Sequence, residues 1–134
     1  MVENSIQVGL KKDFRKMTTP SDASDLPGSF ELSYLVSTPA VMNMIIEAST
    51  DLLDQLLPDG YTTVGTEILL QHEKPTLIGE EISISVKVKE TLNTKVLLSI
   101  EGHDREGRFC KGQHERHIVN KKKLIEYAYN RFPK

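Results

Sequence analysis

The sequence TPAVMNMIIEASTDLLDQLL, residues 38–57, is the longest apolar stretch of the chain and decides its fold. Thr38 suits the N-cap of a helix and Pro39 suits the first helical position. Pro58-Asp59-Gly60, which follows, is typical of a turn. Apolar side chains recur at steps of three and four, which is one face of an α-helix: Val41, Met44, Ile45, Ala48, Leu52 and Leu56. We therefore predict a central helix over residues 38–57, buried on most of its surface.

Glu47 lies in the middle of this predicted helix. A carboxylate surrounded by apolar side chains loses hydration, which raises its pKa and makes it a candidate general base. The alternative is a solvated position or an ion pair with a lysine, and structural carboxylates outnumber catalytic ones. The helix alone therefore leaves the role of Glu47 open.

After the helix the apolar pattern changes to the two-residue period of β-strands. The pattern of residues 121–132 then predicts a C-terminal helix, whose apolar side chains Leu124, Tyr127 and Phe132 are available for packing against the domain. Strands are predicted at residues 7–17, where the alternation is weak, and at residues 61–72, 82–88, 96–100 and 108–119.

This order of elements predicts one α+β domain over residues 1–134. Four strands joined by short turns form an antiparallel sheet, and one long apolar helix covers a face of it. A sheet wrapped around a long central helix is called a hotdog fold.

Residues 18–30 combine two prolines and a glycine with small polar residues, so they are a loop and a candidate lid. Because an exposed antiparallel edge invites pairing with a second copy, we expect a homodimer.

Composition and charge exclude several classes of function. The net charge of −2 gives no basic field for nucleic acid. No stretch approaches 18 apolar residues and the N-terminus lacks the apolar core of a signal peptide, so we expect no membrane partner and a cytoplasmic location. The single cysteine, Cys110, excludes an internal disulfide and shows no cue for thiolate activation, so we expect it to be structural.

Several polar residues on the predicted strands are candidates for chemistry. His72 ends a strand and is a side chain that titrates near neutral pH, although structural histidines are more common there. Gly65 interrupts a β-branched run, which indicates either a bulge or a closely approaching ligand. Arg116 can bind a carboxylate or a phosphate, the alternative being a surface ion pair. Alternation places His114 and His117 on opposite faces of the last strand, which argues against a shared metal.

Two segments resemble a known family. Residues 64–88, VGTEILLQHEKPTLIGEEISISVKV, and residues 102–116, GHDREGRFCKGQHER, are similar to the hotdog thioesterases related to fluoroacetyl-CoA thioesterase. In that family a glycine stands seven residues before a histidine and an H-E-R triplet closes the last strand, as Gly65, His72 and residues 114–116 do here. The resemblance covers residues 36–120. It implies hydrolysis of an acyl-CoA thioester, with CoA as part of the substrate and neither a cofactor nor a metal.

The resemblance also implies the site residues. The catalytic threonine, glutamate and histidine fall on Thr38, Glu47 and His72. In this scheme Glu47 attacks the acyl carbon or activates water, His72 orients or protonates, and Thr38 hydrogen-bonds Glu47 or the water. Gly65 and Arg116 fall on the substrate-binding positions.

The chain departs from the family pattern in two places. The interval from Thr38 to Glu47 is one residue longer than in the family, so an ungapped match would put Pro39 at the threonine position. The phenylalanine of the fluoroacetyl pocket has no counterpart, since Phe30 lies several residues earlier, and fluoroacetyl specificity is therefore not expected.

Two alternatives stay open. One is a non-catalytic protein that binds acyl-CoA or a similar metabolite, because an altered helix spacing can disable hydrolysis while sparing binding. The other is a hydratase or dehydratase acting on acyl thioesters. Such enzymes usually pair an aspartate with a histidine at a spacing that this sequence lacks.

Overall fold

The structure, a computed structural model, describes residues 5–24 and 30–133. Short 3₁₀ turns lie at Pro20–Asp22, Phe30–Tyr34 and Asp54–Leu56. The strands are β1 (Lys11–Met17), β2 (Tyr61–His72), β3 (Glu81–Leu92), β4 (Lys95–Asp104) and β5 (Gly107–Asn120), and the helices are α1 (Thr38–Leu53) and α2 (Lys121–Asn130).

The five strands form one antiparallel sheet in the order β1-β3-β4-β5-β2. The weakly alternating first segment is a strand at one edge, and β2 is the other edge. β2 pairs with β5 from Tyr61 opposite Asn120 to His72 opposite Cys110. The register of this pair shifts between Gly65 and Glu67, which is the bulge that Gly65 indicated.

Helix α1 packs its apolar stripe against the inner face of the sheet. Each fully buried aliphatic side chain contributes roughly 1.5–3 kcal/mol relative to an exposed one. The buried apolar residues of α1 and of strands β3 and β4 are Val41, Met44, Ile45, Ala48, Leu52, Leu53, Ile82, Ile84, Val86, Val88, Val96, Leu98 and Ile100. The predicted central helix is thus confirmed, and its continuation beyond Leu53 is a 3₁₀ turn to Leu56.

Three details of the helix predictions were wrong. The N-cap is Ser37, whose hydroxyl accepts a hydrogen bond from the amide of Ala40 at 3.2 Å, so Thr38 is the first helical residue and Pro39 the second. Helix α1 is not buried most of the way round, because Asn43, Glu47 and other residues opposite the stripe are exposed.

Helix α2 has no buried residue, so the apolar side chains expected to pack there lie on the surface. The candidate lid falls partly on residues 25–29, which lie outside the described residues. Its described part includes the Pro20–Asp22 turn, where Lys16 Nζ contacts Asp22 Oδ1 at 2.7 Å. In the described part of the chain, no helix is both long and apolar enough to cross a membrane.

Gly112 offers a test of the β2–β5 pairing. A Cβ on this residue would overlap the carbonyl oxygen of Leu69 in β2, and a backbone atom cannot rotate away. We expect Gly112→Ala to lower the free energy of unfolding by about 3 kcal/mol, as measured by urea denaturation. The exposed neighbour variant Gln113→Ala should change it by less than about 0.5 kcal/mol. Equal effects of the two variants would contradict the described pairing.

Candidate functional site

A threonine–histidine pair joins the start of α1 to the end of β2. Thr38 Oγ1 lies 2.8 Å from His72 Nδ1, which is hydrogen-bond distance. The His72 ring packs edge-on against Phe109, with ring centroids 5.7 Å apart. Burial lowers the pKa of His72, so the imidazole is neutral at pH 7. Its Nε2 atom is buried and has no hydrogen-bond partner among the described residues. The pair therefore leaves one buried ring nitrogen without a partner among the described residues.

The N-terminus of α1 has few free amides beside this pair. Pro39 has no N–H, the amide of Ala40 donates to Ser37 Oγ, and that of Val41 donates to the Ser37 carbonyl. Of the first four helical residues, only Thr38 has an amide without an acceptor in the described part of the chain. The helix terminus can thus offer one N–H to a developing oxyanion rather than several.

A second polar cluster lies near the other end of β2, around a cleft of about 500 Å³. His114 and Arg116, neighbours on one face of β5, line it and are 2% and 4% exposed. Gly65 lies directly across from Arg116 on β2. A Cβ at Gly65 would stand 2.9 Å from His114 Nε2, so the glycine is required by this close approach.

Buried hydrogen bonds define the state of His114. Ser49 Oγ donates to the Ile45 carbonyl at 2.7 Å and lies 3.2 Å from His114 Nδ1. Because the Ser49 proton is already used, His114 donates Nδ1–H to Ser49 and carries the lone pair on Nε2. Burial, with Arg116 nearby, lowers the pKa of His114 to about 4. His114 is therefore a neutral residue of the cleft.

Arg116 is held by neutral oxygen atoms. Its Nε donates to Thr63 Oγ1 at 2.8 Å, and its Nη2 donates to the Thr63 carbonyl at 2.7 Å and to Thr50 Oγ1 at 3.3 Å. No carboxylate in the described part of the chain lies within 4.0 Å of the guanidinium. Burial lowers the pKa of Arg116, and the charge of Asp54 partly offsets this.

Glu47 is apart from both clusters within one chain. Nine residues of α-helix make about two and a half turns, so Glu47 projects on the side opposite Thr38. It is exposed and borders a recess with Lys16, Asp22 and Asn43, toward β1. Of the two alternatives for Glu47, a buried base or a solvated carboxylate, the structure shows the solvated one. Ile46, one residue earlier and about 100° away, lines the cleft of Arg116 instead.

Four of the five predicted site residues thus form two groups, and Glu47 belongs to neither. Thr38 and His72 form one, and Gly65 and Arg116 form the other, seven residues away on β2, or about 23 Å. Sequence reasoning missed Ile46, Ser49 and Thr63 as residues of the second group. The one sequence signal for this group was the two-residue period of the last strand, which places His114 and Arg116 on the same face.

Other features of the chain lie outside these groups. Cys110 is buried and its thiol pKa is raised to about 11, mainly by burial, which fits the structural role predicted for it. Within residues 5–24 and 30–133, no three His, Cys, Asp or Glu side chains come together as metal ligands would. A depression of about 810 Å³ lies on the outer face of the sheet and includes Lys87 and Lys111.

Comparison with known proteins supports the fold and the resemblance. The family described as fluoroacetyl-CoA-specific thioesterase (FlK) matches residues 18–122. A hot-dog-like protein from Thermanaerovibrio acidaminovorans superposes with a TM-score of 0.87 and 25% identity, over 95% of this chain and 93% of that one. The fluoroacetyl-CoA thioesterase FlK superposes with a TM-score of 0.87 and 17% identity, over 96% and 99% of the two chains.

A thioesterase superfamily member from Thermus thermophilus superposes with a TM-score of 0.84 and 19% identity, over 95% of this chain and 93% of that one. No curated protein matches the sequence. The predicted hotdog fold is confirmed by these superpositions.

The buried neutral state of His114 predicts a pH dependence of stability. The unfolded state binds a proton near pH 6.5 and the folded state only near pH 4. The contribution is therefore complete above pH 6.5 and is lost as the pH falls to 4, by about 3 kcal/mol in the free energy of unfolding. His114→Gln should remove this part of the pH dependence in urea denaturation between pH 7 and 4. The exposed control His103→Gln should retain it, and identical curves for His114→Gln and wild type would contradict the assignment.

Proposed function

Because the chain belongs to the fluoroacetyl-CoA-specific thioesterase family, we propose that it hydrolyses an acyl-CoA thioester to a carboxylic acid and free CoA. The observation that carries this proposal is the 2.8 Å contact between Thr38 Oγ1 and His72 Nδ1, with the buried Nε2 on the far side of the ring. A histidine that is oriented through one nitrogen and has no partner at the other is suited to general acid–base work once substrate reaches that nitrogen.

In the proposed reaction His72 donates Nδ1–H to Thr38 and carries its lone pair on Nε2. A neutral imidazole accepts a proton, so Nε2 takes one from the attacking water while the water oxygen bonds to the acyl carbon. As the carbon–sulfur bond breaks, the same proton passes to the departing CoA thiolate. Thr38 is then a positioning residue, and its amide is a donor for the oxyanion.

Glu47 as the base remains a prediction of the sequence. The position of its side chain favours a mechanism without it, because Glu47 faces β1 while His72 lies at the end of β2. We therefore propose His72, rather than Glu47, as the proton acceptor.

We further propose that two copies of the chain complete the site. β2 is an edge strand, and along it Leu69 is exposed while Ile68 and Leu70 are half-buried. Antiparallel pairing of two β2 strands, centred near Ile68 and Leu69, brings Gly65 of one copy alongside His72 of the other. Such pairing would unite the two groups that one chain keeps about 23 Å apart. The acyl group would then lie between His72 and the cleft of the second copy.

A second candidate function is binding of acyl-CoA without turnover. It is favoured by the absence of any carboxylate bonded to the Thr38–His72 pair in the described residues, since many hydrolytic sites include an acid. Thiol release from a panel of acyl-CoAs decides between the two functions. No release from any thioester, with CoA esters still raising the melting temperature, would establish the binding protein.

The proposed role of His72 predicts the behaviour of a variant series. His72→Gln should lower kcat about 100-fold or more, the usual contribution of a general acid–base group. Thr38→Val should lower it roughly tenfold through loss of one orienting hydrogen bond, whereas Thr38→Ser keeps the hydroxyl and is the matched control. The measurement is thiol release, with an enzyme-only blank for Cys110. Unchanged turnover by His72→Gln would rule out the mechanism.

A separate prediction concerns Glu47. Because Glu47 is exposed on the face opposite Thr38, Glu47→Gln should keep kcat/KM within about twofold of wild type, as surface substitutions usually do. The comparison uses the same acyl-CoA panel and the His72→Gln variant as the inactive reference. A loss comparable with that of His72→Gln would restore Glu47 as the catalytic base.

A further inference from the structure

The cleft beside Gly65 contains a buried cation, Arg116, that makes no direct ion pair with a described carboxylate, although the charge of Asp54 acts on it. Arg116 is 4% exposed, and its described hydrogen-bond acceptors are two threonine hydroxyls and a carbonyl. Asp54, the carboxylate whose charge reaches it, is engaged by the hydroxyls of Thr62 and Thr63 at 2.6 Å each. The Thr63 hydroxyl links Arg116 to Asp54, so the buried charge is compensated only indirectly within the chain. A buried charge without a direct ionic partner is costly, and an anion that reaches the guanidinium directly would stabilise it further.

One corner of the guanidinium is directed to the cleft. Nε and Nη2 are bonded to Thr63 and Thr50, while Nη1 has no acceptor among the described residues. Nη1 lies 3.6 Å from the point where a Cβ on Gly65 would stand, so the missing side chain leaves this corner open. A carboxylate arriving there would gain a charge-assisted hydrogen bond.

The walls of the cleft indicate what carries that carboxylate. Ile46, Val64 and Ile68 line it with aliphatic carbon, which suits methylene groups. Neutral His114 adds no charge. Glu67, the acidic residue among those lining the cleft, is exposed to solvent, where its repulsion is weakened. A short hydrocarbon chain ending in a carboxylate matches these features.

Resting on the proposed thioester hydrolysis, we propose that the substrate is the CoA monothioester of a short dicarboxylic acid, whose free carboxylate binds Arg116 Nη1. The thioester lies at the Thr38–His72 pair of the other copy. A neutral carbonyl of the substrate would also accept from Nη1 but would leave the charge of Arg116 uncompensated. That rival predicts no preference between charged and uncharged acyl groups.

The test compares substrates of equal shape and different charge. A carboxylate and an isopropyl group have similar volumes, so malonyl-CoA is paired with isovaleryl-CoA, and succinyl-CoA with 4-methylpentanoyl-CoA. We expect kcat/KM to favour the carboxylate member of at least one pair by about 10- to 100-fold, as hydrogen bonds to charged groups do. Blanks without enzyme correct for attack of the succinyl carboxylate on its own thioester. Ratios near one or below in both pairs would overturn the proposal.

Two variants at Ile46 then test whether the preference for a carboxylate arises at Arg116. Ile46 lies one helical turn before Thr50, which contacts Arg116, and lines the same cleft. Ile46→Glu introduces a carboxylate that pairs with Arg116 and excludes a second one, so the preference should fall to near one or reverse. Ile46→Gln has the same shape without the charge and should retain the preference. Arg116→Gln should also abolish it, and if that variant fails to fold, the Ile46 pair decides. An unchanged ratio in Ile46→Glu would contradict the assignment to Arg116.

A binding measurement separates this proposal from the proposed function. S-(3-carboxypropyl)-CoA and S-(4-methylpentyl)-CoA are thioethers that cannot be hydrolysed, and calorimetry gives a Kd for each. Tighter binding of the carboxylate thioether by tenfold or more, without turnover of any thioester, would refute hydrolysis and uphold the carboxylate pocket. Turnover without a charge preference would uphold hydrolysis and refute the pocket. Failure of both thioethers to bind would refute the pocket as well.

Discussion

Burial of one face of α1 against the sheet fixes the rotation of that helix, and the rotation decides which residues reach the site. Val41, Ile45 and Ala48 are fully buried, which leaves little freedom to turn. With this face fixed, Ile46 and Thr50 are turned to the β2 side and Glu47 to the β1 side. Adjacent residues of an α-helix point in directions about 100° apart around the helix axis. Moving an acid by one position along α1 therefore decides whether its side chain faces the cleft or the solvent.

The same packing constraint determines the residue types on β2 and β5. His114 is fixed by Ser49 of α1, and its ring occupies the space where a side chain at Gly65 would stand. Gly65 therefore has a structural reason to be glycine, independent of any ligand. The absent side chain also exposes the Arg116 guanidinium to the cleft. One buried contact thus explains both the glycine and the open position beside the cation.

Much of the fold followed from periodicity, and the site followed only in part. Alternating residues in β3 and β4 identify strands because one face is buried, and the apolar stripe of α1 identifies a helix for the same reason. Periodicity is silent on which of two polar residues caps a helix, so Ser37 was missed. It also cannot show that Thr38 is then free to bond His72, because that contact joins residues far apart in sequence. Helix α2 has a regular helical pattern, yet none of its residues is buried against the described part of the chain, which no local pattern reveals.

Because of burial, the residues that can transfer a proton differ from the residue that carries a charge. Burial lowers the pKa values of His72 and His114, so both are neutral near pH 7, while Arg116 remains a cation because its intrinsic pKa is far higher. A neutral histidine with a free nitrogen can move a proton but attracts no anion. A buried arginine attracts an anion but does not exchange protons at this pH. The groups suited to moving a proton and to binding an anion are therefore different residues, and the α1 residue that lines the Arg116 cleft is the apolar Ile46 rather than an acid.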